Sequence, residues 1–551
     1  MTRTPDHQPP SAVVPLDADT ADPRRWWILL VLCLSLMVIT LDNTILNVAL
    51  PKLSEDLGAT NSQLQWIVDS YTLVFAGLLL TAGSLGDRFG RKGALQIGLV
   101  VFAVGSALSA LATDPGQLIA TRALMGIGGA FIMPSTLSLL TNIFPANERG
   151  RAIGVWAGVS GLGIAIGPLL GGFLVDHVSW HAVFTVNLPI AAVAIAAGAW
   201  LIPTSRDPEA PHLDLLGAGL SIAGLGALVY TLIEAPGNGW ASAHTLVGFA
   251  ISAVILGLFV WRESNAESPM LDVSFFKNPR FTAASLAVTL TFFAMFGFSF
   301  LLTQYFQFVL GYSAAATGVR MLPMAITIMI VAPMSARFVE RLGTKVVVAF
   351  GLALVTIAMA LHASLTVDSS YFEVAWRMVL LAVGMALTMA PATESIMGSL
   401  PLAKAGVGSA VNDTTRQVGG ALGVAILGSV LSSVYGSKVA ELFGAVPRMP
   451  AEAVEASRNS LGAALEVSKR VSGIDPTAGA HLARGAKESF VTALHAGSLV
   501  AAGAAVIATV IVATWLPARE LGDEPAPVGG AEGEVDSLAG GLSAAAVVSG
   551  S

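Results

Sequence analysis

Gly83-Ser84-Leu85-Gly86-Asp87-Arg88-Phe89-Gly90-Arg91-Lys92 stands between two long apolar runs. A reduced copy, Glu340-Arg341-Leu342-Gly343-Thr344-Lys345, begins 253 positions after Asp87. It keeps an acid, an Arg, a Gly and a Lys at the spacing of Asp87, Arg88, Gly90 and Lys92. One charged turn written twice, each time joining two hydrophobic runs, predicts a duplicated membrane protein whose halves move about short loops.

A second region repeats nearly the same offset. Arg122, Gly128 and Pro134 recur as Arg377, Gly384 and Pro391, at offsets of 255, 256 and 257. With a ruler of about 20 apolar residues per bilayer span, fourteen candidate spans appear, centred from Leu36 in the first to Ala505 in the last. The offset pairs spans 1 to 6 with spans 9 to 14 and leaves 7 and 8 as an insertion. The expected fold is an all-α integral membrane protein of two six-helix bundles plus two inserted helices. Its expected parts are a cytoplasmic tail at 1–25, a bundle at 26–202, the inserted pair at 203–262 and a second bundle at 281–516. A long external loop at about 435–489 lies within the second bundle, and a disordered cytoplasmic tail follows at 517–551.

Composition points the same way. Hydrophobic residues make up 54% and charged residues 12% of the 551, against roughly 25% charged in ordinary soluble domains. The formal charge of -7 sits mostly in loops and tails and argues for no nucleic-acid partner. A single Cys33 excludes an internal disulfide and a cysteine metal cluster. Arg88, Arg91, Lys92, Arg149, Arg151, Arg337, Arg341 and Lys345 all fall on one set of alternate loops. That asymmetry predicts a multi-pass protein of the cell membrane with both termini cytoplasmic.

Charges at membrane depth are costly, at least about 2.5 kcal/mol each, and are therefore candidate functional groups. Asp42, Asp69 and Arg122 fall at a common depth, roughly 9 to 13 Å below the outer surface at about 1.5 Å per residue. They are expected to form one cluster for proton coupling or substrate recognition, with Arg122 adjusting the acids. Glu394, Asp413 and Arg416 make a second candidate group in the carboxyl half. Asp413 and Arg416, three apart on a helix face, are expected to pair with each other. Glu394 lacks such a neighbour in the sequence and is the carboxyl-half candidate for a proton or substrate site. Aromatic residues from Phe292 to Phe308, with Met321 and Met324, are expected to line a cavity for lipophilic compounds.

Gly163, Gly167, Gly171 and Gly172 around Pro168 bare one face of the fifth span and predict close helix approach at a seam between bundles. Gly83, Asp87, Arg88, Gly90, Arg91 and Lys92 are expected to gate, with Asp87 latched to a nearby Arg or helix amino terminus.

Four stretches together resemble the major facilitator superfamily, in its fourteen-span drug:proton antiporter branch. Leu41-Asp42-Asn43-Thr44-Ile45-Leu46-Asn47-Val48-Ala49-Leu50-Pro51 is similar to that branch's first-helix signature. Gly83 to Lys92 resembles the superfamily's loop motif, and Leu118 to Gly129, around Arg122, its fourth-helix motif. Gly163-Ile164-Ala165-Ile166-Gly167-Pro168-Leu169-Leu170-Gly171-Gly172 resembles the helix-five antiporter motif, associated with exporters.

The resemblance implies a major facilitator fold and a monomeric, proton-driven exporter of small lipophilic, chiefly cationic, drugs or antibiotics. It implies no cofactor and no enzyme activity. Proton-coupled uptake or symport on the same scaffold is the alternative, and it leaves the helix-five motif unexplained. No GxxxxGK[ST] phosphate loop supports ATP-driven pumping.

Overall fold

The computed structural model describes residues 22–517 apart from 58, 60, 207–213, 267, 268, 270 and 448. The two expected tails fall almost wholly outside those residues. All regular structure among the described residues is helical. The first half contains α1 (Arg25–Leu57), α2 (Asn61–Phe89), α3 (Arg91–Ala110), α4 (Pro115–Ile143), α5 (Ala146–His177), the short α6 (Ala182–Thr185) and α7 (Asn187–Leu201). Next come α8 (Leu215–Asn238) and α9 (Ala243–Asn265). The second half contains α10 (Pro279–Gln304), α11 (Ala314–Leu342), α12 (Thr344–His362), α13 (Tyr371–Gly398) and α14 (Ala405–Gly444), then α15 (Ala451–Asn459), α16 (Leu461–Ser472) and α17 (Pro476–Trp515).

Thirteen helical stretches among the described residues are long and apolar enough to cross a membrane. The 32-residue α5 packs lengthwise between α1 and α11 beside them, an arrangement compatible with the fourteen spans expected. The duplication is visible in the packing. Gly98 of α3 meets Gly128 of α4 so closely that a Cβ on Gly128 would lie 2.7 Å from the Gly98 carbonyl oxygen. In the second half Gly351 of α12 meets Gly384 of α13 in the same way, at 2.6 Å. Only residues without a side chain allow backbones to approach so closely.

Apart from α5 and α11, which pack most extensively on each other, helices α1 to α7 pack chiefly on one another, as do α10 to α14 with α17. The two sets meet through α2 with α14, α5 with α11, α4 with α14 and α5 with α13. The inserted α8 and α9 pair together, and α8 leans on α2 and α14. Trp66 of α2 stacks on Tyr230 of α8 with ring centres 6.1 Å apart. The Trp240 indole N–H donates to Ser429 of α14 at 2.7 Å. On α9 the side chains of Leu246, Val254, Leu258 and Trp261 remain exposed, as suits a lipid-facing rod. Asp214 caps α8 through the Gly217 N–H and pairs with Arg262 at 3.0 Å, so it is an anchor for the insertion.

The expected long loop is mostly helix. α14 runs on to Gly444, α17 starts at Pro476, and the amphipathic stretch between them forms α15 and α16. Leu461, Ala464, Leu482 and Ala486 are buried where α16 lies on α17. The Tyr435 hydroxyl donates to the Ser457 carbonyl at 3.0 Å and ties α14 to α15.

Candidate functional site

The Asp42 carboxylate on α1 has no exposed surface, and one of its oxygens takes the Arg122 guanidinium of α4. Its other oxygen accepts from the Asn187 amide at 3.1 Å. The same amide nitrogen reaches Ser106 of α3, whose hydroxyl donates to the Phe184 carbonyl at 2.8 Å. Arg122 also donates to the Ile67 carbonyl of α2 at 3.2 Å and lies 4.4 Å over the Tyr71 ring. The Asp42–Arg122 pair therefore ties α1, α2, α4 and α7 into one unit. Asp69 is half-buried on α2, two residues beyond Ile67. The carboxylate that Arg122 holds is that of Asp42. Asn187 carried a readable signal, since it is the lone amide in an otherwise apolar sixth span.

The charged turn lies where the two bundles touch, at the latched end of the molecule. The chain leaves α2 through Gly90 at φ 111°, a backbone region suited to glycine. Asp87, 4% exposed, accepts from the Arg91 guanidinium at 2.7 Å. It also accepts from the backbone N–H groups of Gly406 and Val407, at 2.9 and 3.0 Å, in the first turn of α14. Its negative charge thus sits at the positive end of a helix of the opposite bundle. Arg91, itself 1% exposed, donates across the same seam to the Leu402 and Ala403 carbonyls, at 2.9 and 2.8 Å. Gly83 permits this contact, because a Cβ there would come within 2.6 Å of the Gly406 carbonyl oxygen. Arg88 instead lies 5.4 Å over the Phe89 ring, and Lys92 donates to the Ala199 carbonyl at the end of α7.

The glycines of α5 divide between two faces. Side chains added at Gly163, Gly167 or Gly171 would run into Thr40, Thr44 and Ile45 of α1. The expected inter-bundle seam at these residues is therefore a seam within one bundle. Gly172 is buried, and the Pro168 side chain falls outside the described residues. Gly154, Gly158 and Gly161, nearer the latched end, face α11 of the other bundle instead. A Cβ on Gly154 would lie 2.6 Å from both the Ala332 carbonyl oxygen and the Pro333 Cα. The spacing of four was present in the sequence, but spacing cannot say which neighbour a helix face will meet.

The carboxyl-half candidates separate. Glu394 lies in the last turns of α13 at the latched end, with its carboxylate against Gly150 in α5. This moves it from the expected proton or substrate site to the seam between bundles. Asp413 and Arg416 are both buried, but the expected pair between them is replaced by other contacts. Arg416 donates to Thr393 at 3.0 Å and lies 4.8 Å over the Trp156 ring of α5 and 5.2 Å over Phe292. Contacts with three other helices, α13, α5 and α10, replace the local i,i+3 pairing. Asp413 accepts from Asn412 at 3.3 Å through Oδ1, and its Oδ2 is without a hydrogen-bond donor.

Behind Phe292 a cavity opens among α5, α10, α11 and α13. Phe292, Phe296, Met321, Met324 and Met389 line it, with Ser160 and Ser299 as polar groups. Phe298, Tyr305 and Phe306 from the expected aromatic set belong to the packed core instead. Phe308 lies against Gly462 of α16.

Two duplicated bundles, locked at one end and holding buried charges, define a membrane transporter of the two-bundle class. The chain belongs to the Major Facilitator Superfamily, whose family model matches residues 32–424. It is 37% identical to the multidrug efflux pump LfrA of Mycolicibacterium smegmatis, over 89% of this chain and 97% of that protein. It is 33% identical to the tetracenomycin C resistance and export protein of Streptomyces glaucescens, over 95% and 97% of the two chains. It is 32% identical to the methyl viologen resistance protein SmvA of Salmonella typhimurium, over 88% of this chain and 96% of that protein. The fold resembles the crystal structure of the human organic anion transporter MFSD10, with TM-score 0.57, 15% identity and coverage of 89% of this chain and 100% of that one.

Proposed function

We propose that the protein is a proton-coupled antiporter that exports lipophilic drugs or antibiotics by alternating access. It acts as a monomeric transporter and not as an enzyme, and the proton gradient drives it without a cofactor. The latched end faces the cytoplasm, both termini lie on that side, and the membrane is the cytoplasmic one. The efflux and resistance roles in the names of relatives matching along nearly the whole chain support export.

One observation carries the proton coupling. The two halves hold fully buried acids in unequal states of satisfaction. Both oxygens of Asp42 have donors, one of them a cation, whereas Oδ2 of Asp413 has none. A charged carboxylate with a bare oxygen in the interior is costly, so Asp413 offers the place where a proton can be carried. Asp42 serves as the charged member, and Arg122 fixes it.

Inverted membrane vesicles with a fluorescent drug test this. Asp413→Asn is expected to uncouple extrusion from the pH gradient while drug binding persists. Full gradient-driven extrusion by Asp413→Asn would remove the assignment. Asp42→Asn leaves a buried guanidinium without its charge partner, at a cost of about 3–5 kcal/mol, and should lower both folded yield and extrusion. Asp69→Asn is expected to have the smallest effect of the three in the same assay.

A further inference from the structure

Gly150 of α5 and Gly406 of α14 are duplicated positions, 256 residues apart, the offset that also relates Gly128 to Gly384. Each lies in the opening turns of its helix at the latched end. Each has a carboxylate of the other bundle occupying the room its missing side chain leaves. At Gly406 the acid is Asp87 of α2, with Oδ1 2.5 Å from where a Cβ would stand. At Gly150 it is Glu394 of α13, with Oε2 at 2.5 Å and Oε1 at 2.9 Å. The counterpart of Asp87 by sequence is Glu340, which lies exposed on α11. A different helix therefore supplies the second acid.

We propose that Glu394 is the positioning residue of a second latch, reciprocal to Asp87, and that turnover requires both to release. Glu394 holds the first turns of α5 against the carboxyl bundle, as Asp87 holds the first turn of α14 against the amino bundle. Each acid lies near the positive end of the helix it engages, and Arg149 and Arg151 flank Gly150 in the chain. Glu394 is half-buried whereas Asp87 is buried. Water already reaches the Glu394 latch, which makes it the weaker of the two and the first to open.

The part Glu394 plays in turnover rests on the export reading, but the seam can be observed without transport. Spin labels on Asn147→Cys in α5 and Arg341→Cys in α11, both exposed sites, report the width of the seam by pulsed electron resonance. Cys33 is buried and stays silent. Glu394→Gln should raise the wide-seam fraction about tenfold, as expected for losing a charge-assisted contact. Gly150→Ala, which fills the carboxylate's room from the other side, should do the same. The double variant should be no wider than either single one. Turnover of an exported dye should fall in each while its KM holds.

An unchanged distance distribution in Glu394→Gln would overturn the proposal. So would a raised KM or a flattened proton dependence with the seam intact, since Glu394 would then be a substrate or proton group. If the seam widens as expected but the parent protein exports nothing, the latch stands and the export reading fails.

Discussion

Asp87→Asn is expected to lose nearly all gradient-driven export, while Glu340→Gln keeps it. Asp87 joins one guanidinium and two backbone N–H groups in a site almost closed to water. Asparagine is similar in shape but uncharged. It leaves Arg91 buried without a counter-ion and weakens the hold on the first turn of α14. Breaking a buried pair in this way costs about 3–5 kcal/mol, a factor of more than about 100 in the population of the latched state. Glu340 is exposed on α11, where such replacements change stability by about 0.5 kcal/mol or less. Vesicle extrusion rates for the two variants, scaled to protein in the membrane, provide the comparison. Equal losses would show that the two copies of the charged turn act alike.

Gly154→Val is the second large effect. Its first side-chain carbon alone would meet two backbone atoms of α11 at 2.6 Å, and backbone cannot rotate away as a side chain can. Overpacking of this kind costs about 1–3 kcal/mol in a packed core. Here the strain falls between two bundles, so separation can relieve it. The latched state should therefore become the minor one, with export falling accordingly and the fold retained. Gly226→Val is the control, because nothing lies within 4 Å of a Cβ at that position of α8. The Asn147 and Arg341 spin-label pair reads both variants. A wide seam in Gly226→Val, or an unaltered seam in Gly154→Val, would contradict the assignment of this glycine face to the crossing between bundles.

The architecture was legible because long apolar runs and repeated motifs are properties of the chain itself. Hydropathy located the spans, and the repeat at Arg122 and Arg377 paired the halves that meet in space as Gly98 on Gly128 and Gly351 on Gly384. Depth counting brought Asp42 to Arg122, because rise along a helix is fixed by geometry. It could not choose between Asp42 and Asp69, since depth leaves rotation about the helix axis undetermined. The same gap explains Glu394, whose level in the membrane was readable and whose facing partner, Gly150, was not. Asp413 and Arg416 show the opposite failure: local spacing suggested a pair, and contacts from Thr393 and Trp156 drew the arginine elsewhere. Gly150, Gly154 and Gly158 stand at intervals of four, as Gly163, Gly167 and Gly171 do, and the interval alone does not say which half of the helix meets the other bundle.

Helix α14 extends through 40 residues without interruption, from the Asp87 contact at one face of the membrane to the α15–α16 hairpin beyond the other. At about 1.5 Å per residue it is a rod of roughly 60 Å, twice the thickness of the hydrocarbon layer. If it tilts as a rigid body about its latched end, about 10° of tilt sweeps the far end by roughly 10 Å. Leverage of this size makes the hairpin a pointer. A fluorophore on it, held outside the membrane, would register from the far side whether the carboxylates at the near side are engaged.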